Sequence, residues 1–337
     1  PGSAKRAERF LLSEAWNAQD PKGPYPIINT NVVLVNSGNL KYCLRGGDSF
    51  ALTPLYCGSN ATGWTSTKTF AGGAVTLATA MAISGAAANP NTGVGGKGLT
   101  RNRFVSAVMT LLNLRLGFWV RRPSRSWVVA RRPNHFHPGL TFSIPGYGYK
   151  EGRNFLELSD GGHFENLGIY ELVRRGCRLI IVCDGGQDIR ASYSDFISAI
   201  RRIEQDFGAE IEFNKHGGPE RMIARPVSNE YPKDAEYADH GFLWATIKYH
   251  RQAIRGGPTE GVIIYLKTAM IKELGIKAKG YKGAEPDFPD QGTSDQFFDE
   301  EQFEAYREVG YRIADTMLRD KALDIRGVIR KIKSPAK

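Results

Sequence analysis

Cysteine is scarce, with four in 337 residues. Cys43, Cys57, Cys177 and Cys183 form no C-x-x-C pair and no zinc-type spacing, which excludes a metal knuckle or a disulfide framework. All four read as reduced, and Cys177 and Cys183 border an apolar run where buried thiols are common. A long apolar run is also missing. The longest, Ala71–Ala88, is broken by glycine and other small residues, so nothing reaches the roughly 18 consecutive apolar positions of a spanning helix. The opening residues carry no signal-peptide pattern. Neither G-x-G-x-x-G nor G-K-[ST] occurs at the Asp184–Gly186 turn, which leaves nucleotide binding there without a phosphate loop. No G-x-S-x-G, internal repeat or low-complexity tract is present.

What is present is ordinary globular composition, 41% hydrophobic and 24% charged, with enough length for a substantial core. The net charge of +10 is spread, with concentrations at Arg121–Arg132 and Arg326–Lys337. No aromatic-interleaved RNA signature accompanies it, so no nucleic-acid partner is expected. A solvated basic surface, or attraction to an anionic membrane surface, accounts for the charge.

Along the chain, residues 1–25 form a polar lead-in with one helix-like stretch. Tyr25–Asn36 and Ser49–Leu55 read as strands, Tyr56–Thr69 as loop, Val75–Ala88 as a buried helix and Asn91–Gly98 as a Gly-rich turn. Arg103–Val120 reads as an amphipathic helix with a wide apolar face, and Pro123–Tyr149 as irregular. Then come a strand at Phe155–Leu158, a turn at Asp160–Gly162, a helix at Asn166–Arg175, a strand at Arg178–Cys183, a second turn at Asp184–Asp188 and a helix at Phe196–Phe207. That order predicts a β-α-β unit, hence an α/β fold with an open, mainly parallel sheet flanked by helices. Phe242–Tyr249 and Gly261–Lys267 read as neighbouring strands, and Asp295–Asp320 carries a helix whose aromatic positions read as core.

Functional groups of such a sheet gather at strand carboxyl ends. Asp160 and Asp184 stand there, each followed by two glycines that allow a sharp turn beside an uncrowded carboxylate. Such an aspartate serves as a general base if a hydroxyl comes within reach, or simply caps the next helix. His163, beside Asp160, reads as a structural or rim residue. His135 and His137 have strand-like spacing but no third ligand, so no metal is expected.

LSDGGHFENLGIYELVRRGCRLIIVCDGG, Leu158–Gly186, resembles the aspartate block of bacterial patatin-like phospholipases and, more distantly, that of cytosolic phospholipases. FALTPLYCGS (Phe50–Ser59), TAMAISGAAANP (Thr79–Pro90) and FPDQGTSDQFFDEEQFEAYREVG (Phe288–Gly310) resemble other segments of the same proteins, in the same order. The resemblance implies a patatin-like acyl hydrolase fold, with 1–337 a single domain fragment ending in a basic tail at 325–337. It implies a Ser-Asp dyad that hydrolyses lipid esters without a cofactor, on a lipid or phospholipid substrate, in the cytoplasm or at a membrane surface. Asp160 takes the place of the family's base, with Gly161 and Gly162 as its supporting turn and Asp184 as structural. The family's serine sits in a G-x-S-x-G elbow between strand and helix. The nearest match, Ala82–Ala86 around Ser84, follows a helix-like stretch instead. The elbow and the oxyanion loop are therefore expected upstream of this chain, and its start at Pro1 fits a truncation. Without a nucleophile, the alternative is a non-catalytic membrane-surface or protein-interaction module.

Overall fold

A computed structural model describes residues 8–92, 102–123, 133–213, 215–233, 235–250, 257–292, 295 and 297–333. Much of the Arg121–Arg132 cluster, most of the Asn91–Gly98 turn and the end of the basic tail lie outside them. The chain divides into two compact units, Pro1–Asn166 and Leu167–Lys337.

The first unit is built on a six-stranded sheet. Its strands are β1 (Ile28–Val33), β2 (Gly47–Leu52), β3 (Tyr56–Ser59), β4 (Gly63–Ser66), β5 (Phe118–Arg121) and β6 (Phe155–Asp160), in the spatial order β4-β3-β2-β1-β6-β5. Every neighbour pair is antiparallel. Three residues join β2 to β3 and three join β3 to β4, lengths that permit only hairpins. The helices are α1 (Leu40–Arg45), α2 (Leu77–Ser84), α3 (Arg103–Leu111) and α4 (Gly139–Ser143). Val32, Leu34, Phe50, Leu52, Val120, Leu156 and Leu158 form the core together with Leu12. The lead-in is thus tied down: Leu12 N–H donates to the Val75 carbonyl (2.9 Å) and Leu77 N–H to that of Phe10 (2.9 Å).

The second unit holds β7 (Leu179–Asp184), β8 (Ala209–Phe213), β9 (Arg225–Pro226), β10 (Glu236–Tyr237), β11 (Phe242–Tyr249) and β12 (Glu260–Lys267). Its main sheet has the order β7-β12-β11-β8, and β9 pairs with β10 apart from it. Its helices are α5 (Ile169–Arg174), α6 (Ser194–Phe207), α7 (Ile276–Ala284), α8 (Glu300–Arg319) and α9 (Ile325–Lys333). The last of these occupies most of the basic tail. Helix α8 starts at Asp299, whose carboxylate accepts the Gln302 N–H (2.8 Å). It buries Ala305, Val309, Ile313 and Met317, an i, i+4 stripe. The aromatic residues expected in the core lie largely off this stripe, and Phe297 is 94% exposed.

The expectation of an open, mainly parallel sheet is therefore wrong. Among the described strands only β7 and β12 pair in parallel; the rest of the pairing is antiparallel. The supposed β-α-β unit fails because β6 and β7, consecutive in sequence, belong to different sheets. The loop expected at Tyr56–Thr69 contains the β3–β4 hairpin instead. The helix expected through Val120 stops at Leu111, Asn113 takes φ 55°, and the chain re-emerges as β5.

Candidate active site

Strand β6 lies between β1 and β5 and ends at Asp160, opposite Thr30. The chain then turns through one short 3-10 turn, Gly161–His163. The Asp160 carboxylate caps that turn, with Oδ1 accepting the Gly162 N–H at 2.7 Å. Oδ2 has no hydrogen-bond partner among the described residues. Gly161 is required by contact: an added Cβ would fall 2.6 Å from the Asn29 carbonyl oxygen. Gly162 is pressed as closely, by the Asn166 side chain. The side-chain oxygen of Asn29 is buried without a partner among the described residues, an uncommon state for a buried acceptor.

Ser84, the last residue of α2, is brought to the same corner. Its hydroxyl donates to the Asn29 carbonyl (2.7 Å), and two residues on, the Ala86 carbonyl accepts the Asp160 N–H (3.3 Å). Sequence-distant Ser84 and Asp160 therefore share one strand edge. The Ser84 proton is nevertheless committed to the backbone, and the residue ends a helix, whereas an elbow serine begins one. His163 is buried, its Nδ1 3.0 Å from Ser159 Oγ. Burial pushes its pKa down, against the Asp160 charge and the Ala87 backbone hydrogen bond. Ser159 is fully buried and also receives Asn31 Nδ2 (3.2 Å), so this serine–histidine pair is internal wiring.

The second D-G-G turn provides an internal comparison. Asp184 ends β7, and its Oδ1 accepts the Gly186 N–H at 2.8 Å, as Asp160 does from Gly162. Its Oδ2 is taken by the Tyr265 hydroxyl, with Lys267 Nζ 3.7 Å away. Lys267 is buried and also donates to the Gly186 carbonyl. Both Asp184 oxygens are thus engaged, whereas Asp160 keeps one open. A cavity of about 350 Å³ lies beside this turn, lined among others by Lys267, Asp188 and Asp290.

No protein-family model matches this chain, and no curated protein matches it either. Its own geometry therefore carries the functional argument.

Sequence reasoning missed a second polar cluster in the first unit. Glu157, in the middle of β6, is fully buried, and burial raises its pKa to about 7 against the Arg115 charge. Asn89 and Tyr149 face its carboxylate, yet neither closes a hydrogen bond of full geometry. Tyr149 is held by Ser143 (2.8 Å) and Asn91 (3.2 Å). The signal was available: a glutamate between two leucines in a core strand requires a polar partner. His135 meets Arg115 (Nδ1 to Nη2, 3.0 Å) and His137 meets Thr141 (3.0 Å). Among the described residues no group of three His, Cys, Asp or Glu is placed to hold a metal ion, and all four cysteines are free.

Proposed function

We propose that this chain carries the general base of a serine-type lipid acyl hydrolase, with Asp160 as that base and the nucleophile supplied from outside these residues. The observation that carries the reading is the contrast between the two D-G-G turns. Both fix a carboxylate by one glycine N–H, but only Asp160 keeps an oxygen able to accept a proton. Fixing one oxygen orients the other, which is what a base acting on a bound hydroxyl needs. The resemblance of Leu158–Gly186 to the patatin-like aspartate block supports the same assignment, and rests on the turn rather than on the sheet.

The test is hydrolysis of a short-chain ester, with fluorophosphonate labelling, by this chain alone and by a polypeptide that joins it to an elbow-bearing segment. The chain alone should be inactive and unlabelled. The joined protein should hydrolyse ester and lose about 10²–10⁴-fold in kcat on Asp160→Asn. Labelling of the chain alone at Ser84, or an unchanged kcat in the Asp160 variant, would refute the reading.

A second reading, contact with a membrane surface, is favoured by α3. This helix buries Ser106 and Thr110 and turns Phe104, Val108 and Leu111 outward. Leu112, Leu114 and Leu116 continue the exposed ridge. A helix with its polar side inward suits an apolar interface outside. Among the described residues no helix is long and apolar enough to cross a membrane. Sedimentation with phosphatidylcholine and phosphatidylglycerol vesicles tests this reading, and failure to bind either would exclude it.

A further inference from the structure

The main sheet of the second unit has two edges, β7 and β8, and they are built differently. An edge strand presents a row of unpaired N–H and C=O groups, and natural proteins blunt such edges with charge, proline, bulges or brevity. Strand β8 follows that rule. It carries Glu210 and Glu212, both exposed, which pair with His250 (3.2 Å) and Lys248 (2.6 Å). The edges of the first unit's sheet, β4 and β5, are short, at four residues each. Strand β7 has none of these devices. It runs for six residues, and every one before its terminal Asp184 is apolar or cysteine.

The inner side of β7 is taken by β12. Val262 N–H donates to the Arg178 carbonyl (2.8 Å) and Thr268 N–H to that of Asp184 (3.3 Å). In a parallel ladder alternate residues make these bonds, so Arg178, Ile180, Val182 and Asp184 face β12. Leu179, Ile181 and Cys183 turn their N–H and C=O groups to the open side, where no described residue pairs with them. Their side chains share one face of the sheet. Leu179 is partly buried against the core of this unit, but Ile181 is 50% exposed and Cys183 is an exposed free thiol. Free backbone groups and exposed apolar side chains thus lie on one edge, which suits it to receive another strand.

The order of residues along β7 is complementary to itself. Antiparallel pairing about a two-fold axis at Ile181 sets Ile181 opposite the partner's Ile181, Leu179 opposite the partner's Cys183 and Arg178 opposite the partner's Asp184. Apolar residues meet apolar residues, and a cation meets a carboxylate at both ends. The outward residues also fall on the hydrogen-bonded positions of this register. Three such pairs exchange two bonds each, about six in all. A shift of two residues either way keeps the bonding phase but loses both charge pairs.

We infer that this edge joins two copies of the chain, β7 against β7 in antiparallel register about Ile181, into one continuous sheet. The inference rests on neither Asp160 nor hydrolysis.

Gel filtration with light scattering tests the association, and the mass should rise with concentration toward that of two chains. Ile181→Lys sets two like charges against each other at the axis and should raise the dimer dissociation constant about tenfold or more. Leu318→Lys makes a similar change on the exposed side of α8, where Leu318 is 57% exposed, and should leave that constant as it is. Cross-linking reads the register. Residues paired at the axis have Cα atoms about 5.5 Å apart, within reach of a disulfide. Ile181→Cys in a chain also carrying Cys183→Ser should therefore form a 181–181 disulfide under mild oxidation, located by mass spectrometry. In the wild-type chain the two Cys183 thiols stand about 13 Å apart along the strands and should not join. A monomer at every concentration would leave the edge to a strand of another chain and overturn the assignment. So would a dimer that survives Ile181→Lys, one that Leu318→Lys dissociates instead, or the absence of a 181–181 disulfide.

Discussion

At the scale of single residues, contact geometry explains why the turn after β6 reads Asp-Gly-Gly. Gly161 has no room for a side chain, because the Asn29 carbonyl oxygen occupies the place a Cβ would take. Gly161→Ala must push β1 and the turn apart, and backbone cannot yield as a flexible side chain does. Denaturant melts should show a loss of about 1–3 kcal/mol, the range of an overpacked site, and a wild-type midpoint would show that the turn has slack. The glycines were legible in the sequence as a turn signal, and so was the strand before them. The open Asp160 oxygen was not, since Asp184 has the same Asp-Gly-Gly triplet and differs through Tyr265, 81 residues away, and Lys267 beside it. Glu157 makes a second residue-scale prediction. Unfolded, it titrates near 4.5; folded, burial holds it near about 7. Between those values the native state keeps a proton that the unfolded chain has released, so its contribution to stability falls as pH rises through the window. Glu157→Gln cannot ionise and should lack this fall. Urea melts from about pH 5 to about pH 8 should show the wild type losing up to about 3 kcal/mol relative to the variant. Parallel pH profiles would mean that Arg115 fully compensates the buried charge.

At the scale of elements, the sequence was most readable where one period ran unbroken. Strands β6, β7, β11 and β12 and helix α6 lie within two residues of their expected bounds, and helix α8 lies inside its expected segment. Reading failed where the partner lay far along the chain. Tyr56–Ser66 is rich in small polar residues and looked like loop, but pairing of β3 with β2 holds it as a strand. The apolar pattern of Arg103–Val120 looked like one helix, yet it encodes a helix, a turn at Asn113, an extended ridge and a strand. Helix α3 itself inverts the usual rule that apolar faces turn inward, which periodicity cannot reveal because it gives no direction. The ridge can therefore be tested apart from the core. Phe104 is 77% and Leu111 64% exposed, so replacing both with serine should change folding stability by no more than about 1 kcal/mol. The same pair should lose most of its partitioning to phosphatidylcholine vesicles if the ridge enters the interface. Unchanged partitioning with unchanged stability would mean that the ridge faces something other than lipid.

At the scale of the molecule, composition pointed to a globular chain, and the order of the expected strands and helices misdirected its topology. Parallel sheets require long crossovers between sequential strands, and the run from β6 to β7 looked like one. The two strands instead enter different sheets, a choice made by residues elsewhere: β1 recruits β6, and β12 recruits β7. Charge is the property that belongs to the whole chain, and its excess of 45 basic over 35 acidic residues acts at longer range than any ridge. Each lysine or arginine near an anionic bilayer contributes about 1 kcal/mol, screened within a Debye length of roughly 10 Å at about 0.1 M salt. Apolar insertion is not screened in this way. The two contributions separate by titrating salt against vesicles of both kinds. Binding to phosphatidylglycerol vesicles should fall steeply between about 0.05 and about 0.5 M salt, then level at the affinity shown for phosphatidylcholine. The serine pair in α3 should remove that plateau and leave the steep part. A salt-independent affinity for both lipids would assign membrane contact to the apolar ridge alone and leave the basic charge as solvated surface.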